Sequence, residues 1–271
     1  MAAPDAAPAT GGHDRRIWAR ILGLLRVHGL SGRLEVRNGR HTRTLSVIGG
    51  APVLFDSDVP EDELTTTLVD AGLVPGERLH WLQGRLGDGE SLQGALLMSG
   101  AIDRESLSRH QRDRLRIGIQ APLKWGSGTW TFHGAPALQA GHIDPRLLPG
   151  VSSLEVLAHG IGALIDLDTA MCAVGASPVK PGPHRDDLWD ELELEGPHAD
   201  ADYMLGGKDL MALMAGAGET SRALPALVWL LRATGIARSE DEEHAETGLA
   251  ALGRALCGAG HGAKEAAPAA S

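Results

Sequence analysis

Leucines and glycines recur along this chain in a pattern that occurs twice. Leu64, Leu68 and Val69, followed by Gly72, Val74, Glu77 and Leu79, are matched 28 positions later by Leu92, Leu96 and Leu97, followed by Gly100, Ile102, Glu105 and Leu107. Apolar residues one turn apart form one stripe of a helix. The glycine that ends each stripe suits the left-handed conformation that satisfies a helix's last carbonyls. The next apolar residue then folds back, and a second helix is expected from near Glu77 and from near Glu105. Every matched position is apolar, glycine or a helix-start carboxylate. The pattern therefore predicts packing units that build a surface, with no nucleophile, base or metal ligand among the matched residues.

The pattern elsewhere predicts a small sheet beside these helices. Asp14 can cap a helix with the stripe Ile17, Ile21, Leu24, Leu25 and His28, ending at Gly29, with Trp18 beside it. Alternation over Arg33–Arg37 puts Leu34 and Val36 on one face and Arg33, Glu35 and Arg37 on the other. Asn38-Gly39 signals a type I′ hairpin, because both central residues of that turn need positive φ. Return strands are expected over 43–48 and 52–55, and a fourth over 129–132 with Trp130 and Phe132 inward. Such a sheet must be covered to be stable in water, and the repeat helices are the expected cover. Asp58 is expected to cap the next helix, with Pro60 in its first turn, and Asp103 to open a long helix to about Leu123.

Further on, Ser152 and Glu155 form a capping-box signal for one helix to about Ala173. Helices are also expected over 208–215, 221–234 and 242–256, and Leu227, Leu231 and Gly235 echo the repeat. The predicted organisation is a disordered lead-in (1–13), an α+β domain (14–134), a connector with one helix (135–176), an acidic Pro/Gly linker (177–201) in which Leu188, Trp189, Leu192 and Leu194 could make a short docking helix, a small helical, winged-helix-like module (202–257) and a disordered tail (258–271). The fold class is α+β: a small antiparallel sheet, a three-strand meander plus a returning fourth strand, covered by helical repeats.

Charge limits the partners. The 271 residues carry a net charge of −10, which repels phosphate backbones and anionic lipid. Residues 13–59 hold eight arginines against four acids, whereas residues 166–202 hold ten acids against one lysine and one arginine. The two cysteines, Cys172 and Cys257, have no metal-binding spacing and form a poor disulfide framework. Residues 1–12 lack the cationic start and apolar core of a signal peptide, and no apolar run has transmembrane length. A cytoplasmic protein is expected.

Several clusters invite a chemical reading. Asp56, Asp58, Glu61, Asp62 and Glu63 could ligate a divalent cation, but starting a helix accounts for each of them. His184, Asp186, Asp187, Asp190 and His198 lack the spacing of a zinc set and read as solvated charge. Gly206-Gly207-Lys208-Asp209 has an acid where a phosphate loop needs a hydroxyl, and reads as a turn feeding a helix. Gly150-Val151-Ser152 lacks the second glycine of a nucleophile elbow. Arg33, Arg37 and Arg40, with Arg43 just beyond the turn, are expected to form a basic patch on the solvent side of the hairpin. Such a patch either protects a solvated sheet edge or docks an acidic partner, including this chain's own acidic linker.

Leu30 to Val36, Gly50 to Val53, Ser57 to Leu64, the doubled leucine–glycine pattern and the closing Gly128 to Phe132 together resemble the PatA-like N-terminal (PATAN) domain of bacterial signalling proteins. The resemblance covers about residues 16–133. Leu64-Thr65 and Leu92-Gln93 stand where family members commonly carry Leu-Gly. The resemblance implies protein–protein interaction without catalytic residues. The resulting expectation is a non-enzymatic regulatory protein of bacterial signal transduction that binds other proteins, needs no cofactor, and has Arg33, Arg37, Arg40 and Arg43 as candidate interaction residues. The alternatives are a DNA-binding regulator reading through the helix over 221–234, and an enzyme using the carboxylates of 56–63. Only Arg222 and Arg232 on that helix could meet phosphates, and overall charge opposes nucleic acid.

Overall fold

The computed structural model describes residues 7–87, 90–134, 151–174, 177–195, 200–217, 223–239 and 243–261. Residues 1–6 of the expected lead-in, the stretch 135–150, His198, Ser221, Arg222 and the tail from 262 lie outside the described residues. The fold is α+β, as the hydrophobic pattern predicts.

The first element among the described residues is strand β1 (Ala9–His13), inside the segment expected to be disordered. Asp14 then accepts the Ile17 N–H at 2.7 Å and starts helix α1 (Arg15–Val27). Strands β2 (Gly32–Asn38), β3 (His41–Ile48) and β4 (Ala51–Ser57) form the expected meander. Asn38 pairs with His41, so the central turn residues are Gly39 and Arg40, and of these Gly39 has positive φ (59°). This is a turn with glycine at its first central position rather than the type I′ turn on Asn38-Gly39.

A 3-10 turn at Pro60–Asp62 leads to α2 (Leu64–Asp70), α3 (Gly76–Gln83), α4 (Leu92–Met98) and α5 (Arg104–Gln120). Asp103 caps α5 by accepting the Ser106 N–H at 2.8 Å, as expected. Asp58 does not cap a helix. Its carboxylate accepts the Thr42 N–H at 2.7 Å and secures the edge of the meander instead. Strand β5 (Gly128–Gly134) returns between β1 and β2, giving the all-antiparallel order β1-β5-β2-β3-β4. Among the described residues the sheet has five strands where four were expected.

Of the repeat helices only α5, through its far half, covers this sheet. Leu68, Val74, Leu79, Leu82, Leu96, Ile102 and Leu107 form a small apolar cluster of their own. The sheet's apolar face, with Leu34, Leu45, Phe55 and Phe132, joins a larger cluster with α1 and with Leu115, Ile119 and Leu123 from the far end of α5 and the turn after it. Gly118 lets α5 approach the sheet, because a Cβ there would overlap the Phe55 ring.

The remaining elements are α6 (Ser153–Leu164), α7 (Leu167–Val174), β6 (Lys180–Pro181), α8 (Arg185–Leu188), α9 (Ala201–Leu205), α10 (Leu210–Ala217), α11 (Leu224–Thr234), β7 (Ala237–Arg238) and α12 (Glu243–His261). The expected single helix after Ser152 is two helices. Asp166 interrupts it and accepts the Thr169 N–H at 2.8 Å, and the two axes bend by 113°. The 177–201 stretch does not behave as a linker, since Val179, Leu188 and Leu192 are fully buried in the large cluster. That cluster also contains α11 and residues of α12, so 202–257 is not a module with a separate core. Helix α12 runs to His261, past the expected start of the tail at 258.

Helix α1 is the hub of this arrangement. Residues Trp18–Leu25 are all buried, because α6, α8, α11 and α12 pack around it in addition to the sheet cluster. Even Arg20 on its polar side is buried, with Nε donating to the Ala233 carbonyl at 3.3 Å. A periodic stripe on one side of α1 understated its burial, because the polar side is covered by partners distant in sequence.

Candidate functional site

The hairpin arginines separate by strand alternation. Arg33 and Arg37 flank Glu35 on the outer face of β2, at 3.4 and 3.2 Å, and both remain more than half exposed. Arg40 is exposed in the turn. Arg43 is not part of the patch. It alternates with Leu45 and Val47, so it faces the core side of β3, where Nε meets Asp62 Oδ2 at 2.8 Å and the guanidinium lies 4.7 Å from the Trp125 ring centroid. Glu35 between them offsets one of the two charges of Arg33 and Arg37, and exposed pairs of this kind contribute about 0–1 kcal/mol.

The carboxylates of 56–63 also separate. Asp62 is buried and accepts from Arg43 and from Ser57 Oγ (3.0 Å), while its carbonyl accepts from Arg114 at 2.8 Å. His110 on α5 meets the Thr67 hydroxyl on α2 at 3.0 Å. These contacts fasten the repeat helices to the edge of the sheet through polar groups. Among the described residues, no group of three or more His, Cys, Asp and Glu side chains could hold a metal ion.

The other candidates take structural roles. Asp209 caps α10 by accepting the Ala212 N–H at 2.7 Å, and Gly207 turns the chain at φ 80°, as a turn feeding a helix requires. Ser152 accepts the Glu155 N–H and donates to the Glu191 carbonyl at 3.0 Å. Asp186 pairs with Arg185, and Asp187 lies 3.8 Å from His184. All eleven residues of α11 are buried, and Arg232 donates to the Val174 carbonyl at 2.5 Å. A recognition helix must present a face to the groove, and α11 has none free. No single helix among the described residues is long and apolar enough to cross a membrane. Neither Cys172 nor Cys257 is disulfide-bonded.

The repeat helices carry the least covered apolar surface near concentrated positive charge. Their internal symmetry is close. Gly72 and Gly100 both have φ 66°, and in each copy the next residue's N–H returns to the buried leucine's carbonyl at 3.0 Å (Leu73 to Leu68, Ala101 to Leu96). The matched pairs Leu68/Leu96, Val74/Ile102 and Leu79/Leu107 close the small cluster between the copies. Outside it, Met98 is 92% exposed, Trp81 44% and Val69 42%. Two guanidinium groups lie over the Trp81 ring, Arg78 at 4.7 Å and Arg85 at 4.2 Å from its centroid. Arg78 also reaches the Ser99 carbonyl at 3.5 Å, linking Trp81 to the end of α4 beside Met98. Charge patterning alone missed this surface. The repeat holds the missing signal: Trp81 matches Arg109 and Met98 matches Asp70, so each is apolar in one copy and charged in the other. A core position would be apolar in both.

Three partly buried histidines give the protein a pH response. Burial lowers the pKa of His13, His110 and His184 below the ordinary 6.5, and the neighbouring acids Asp14, Asp113 and Asp187 oppose that shift respectively. His13 is set between Trp18 and Trp125, and Nε2 lies 3.1 Å from the Pro122 carbonyl. Because the folded values lie below the unfolded ones, the unfolded chain binds more protons on acidification. Stability from these groups is fully present above 6.5 and lost as pH falls from there through the lowered folded values. Urea midpoints are expected to fall between about pH 7 and about pH 5, where histidine titrates. A flat or rising profile over that range would show that these histidines are not buried in their neutral form.

Comparison with protein-family models, with curated proteins and with solved structures finds no match to this chain.

Proposed function

We propose that this chain is a non-enzymatic regulatory component of bacterial signal transduction, acting in the cytoplasm by binding other proteins through the Trp81 surface of its repeat helices. The observation that carries this reading is the exposed Trp81 in contact with the guanidinium groups of Arg78 and Arg85 and tied to the Met98 end of α4. Tryptophan, arginine and methionine are the residues enriched where interfaces bury their cores and concentrate their binding energy. Stacked guanidinium groups also hold the ring in place before a partner arrives, which reduces the entropy lost on binding. The resemblance to the PATAN domain supplies the signalling setting.

The chemistry selects an amphipathic partner helix whose apolar stripe is edged by Asp or Glu. The stripe covers Met98, Trp81 and Val69, and the acids meet Arg78 and Arg85. Arg33, Arg37 and Arg40 are a secondary, rim-like contact. Affinity capture with the tagged full chain tests this order. Trp81→Glu combined with Met98→Glu is expected to reduce partner recovery by about tenfold or more, as loss of a hot spot does. Arg33→Glu with Arg37→Glu is expected to change recovery by about twofold, as loss of rim charges does. Equal recovery by the Trp81/Met98 variant and the wild type would overturn the reading.

A further inference from the structure

A cleft of about 480 Å³ is lined by residues of α1 and its C-terminal end, the turn before α8, and α12. Its volume falls in the range of about 300–1,000 Å³ typical of small-molecule sites. Leu24 of α1 and Leu249 and Ala250 of α12 supply apolar wall, and His28, His184 and Arg254 supply the nitrogen donors. Among the described residues, no carboxylate lines it. Asp187, at 3.8 Å from His184, is outside the lining.

One wall is built before any ligand arrives. The Gly182 N–H donates to the Ile236 carbonyl at 2.8 Å and the His184 N–H to the Gly235 carbonyl at 3.0 Å, so the turn carrying His184 is pinned at both ends. The His184 ring rests against Gly235, where an added Cβ would come within 2.9 Å of Cδ2. Gly235 has φ 80°, so glycine serves both the left-handed backbone and the close approach. The opposite wall is also made close by a glycine. A Cβ at Gly253 would stand 3.1 Å from His28 Nε2 and 3.7 Å from Leu24 Cδ2. Glycine inside a helix costs about 1 kcal/mol relative to alanine, and here it leaves space where α12 passes α1.

We propose that this cleft binds an amphipathic monocarboxylate of medium chain length, with the chain against Leu24, Leu249 and Ala250 and the carboxylate at Arg254 and the two histidines. The apolar walls call for a hydrocarbon body. A single guanidinium with imidazole nitrogens, and no opposing acid among the described lining residues, selects a monoanionic head. A polyphosphate would find neither a nest of backbone amides nor a second arginine in that lining. Burial lowers the pKa of His184, so near pH 7 its ring adds no charge beside Arg254, and it donates only through the ring nitrogen that carries the proton.

Decanoate is the probe, titrated calorimetrically into the full chain at about pH 7, above the ordinary histidine value. Saturable one-to-one heat is expected. Arg254→Gln is expected to weaken binding by about tenfold, the worth of one charge-assisted hydrogen bond. Decanol, with the same chain and no charge, is expected to bind weaker by at least that factor, and inorganic phosphate is expected to give no heat. Gly253→Leu fills the cleft and is expected to abolish binding. Should that variant fail to fold by circular dichroism, Ala250→Phe on the exposed side of α12 blocks the same space. Three results would overturn the proposal: no saturable heat with decanoate up to about 1 mM, a ligand concentration that would reveal any affinity of use; equal binding of decanol; or unchanged decanoate binding in both Arg254→Gln and Ala250→Phe. None of these outcomes bears on the Trp81 surface, so this inference stands or falls separately from the proposed function.

Discussion

Trp18→Ala is expected to lower the unfolding free energy by about 3–5 kcal/mol, the range for truncating a buried aromatic. Trp18 is fully buried in the helix that the rest of the large cluster surrounds, and its indole N–H donates to the Ile119 carbonyl at 2.8 Å. Truncation leaves a cavity that sheet, α5 and α1 border together, and it leaves a buried carbonyl without that donor, which by itself costs about 1–3 kcal/mol. The collapse needed to refill the space would require shifting elements fixed by partners on several sides. Urea denaturation followed by circular dichroism measures the loss. Trp81→Ala is the matched control, and a change within about 1 kcal/mol is expected there because the ring is partly exposed. Similar losses for the two variants would mean that α1 is not the hub.

Leu96→Ala is expected to cost about 2–5 kcal/mol, with its effect concentrated in one region. Leu96 is fully buried in the small cluster between the two repeat copies, and that cluster is separate from the one beneath the sheet. Local opening is expected to release residues 64–107 while β2, β3 and β5 keep their protection, since stability is distributed in cooperative units. Hydrogen exchange resolved along the chain reads this directly. By the repeat, Leu68→Ala should act on the same region to a similar degree. Loss of protection spread evenly over the sheet and the repeat helices would contradict two separate clusters.

Local rules made part of this architecture legible in the sequence. The caps at Asp14, Asp103 and Ser152 start the helices they were expected to start, and Gly72, Gly100 and Gly235 end theirs with positive φ. The strands from 32 to 57 and at 128 follow from alternation. What was not legible depends on partners far along the chain. Strand β1 reads Ala-Thr-Gly-Gly-His, with almost no apolar signal, and forms because its backbone pairs with Gly128–Phe132. Gly11 also leaves room for the Trp130 ring, which a Cβ there would meet at 2.8 Å. Within 177–201 the acids, prolines and glycines concealed Val179, whereas Leu188 and Leu192 were legible as part of a short docking helix, and all three are buried by contacts with remote elements.

The candidate surface was half legible for a related reason. The doubled pattern located the right helices, but matching positions point to the core by construction. Trp81 and Met98 sit where the copies disagree, so they reveal themselves only when departures from the repeat are followed. Arg43 fails as a surface residue on the same alternation that placed Leu45 and Val47 inward. Its short contact with Asp62 then couples the sheet edge to the repeat helices in place of contacting solvent.

The most direct test of the docking claim is a hydrogen-exchange footprint of the full chain with and without a captured partner. Protection is expected over 69–85 and 92–99, around Val69, Trp81 and Met98, with the hairpin at 33–43 changed little. Protection confined to that hairpin, or falling on α11 and α12 while 69–99 exchanges as in the unbound chain, would contradict the account.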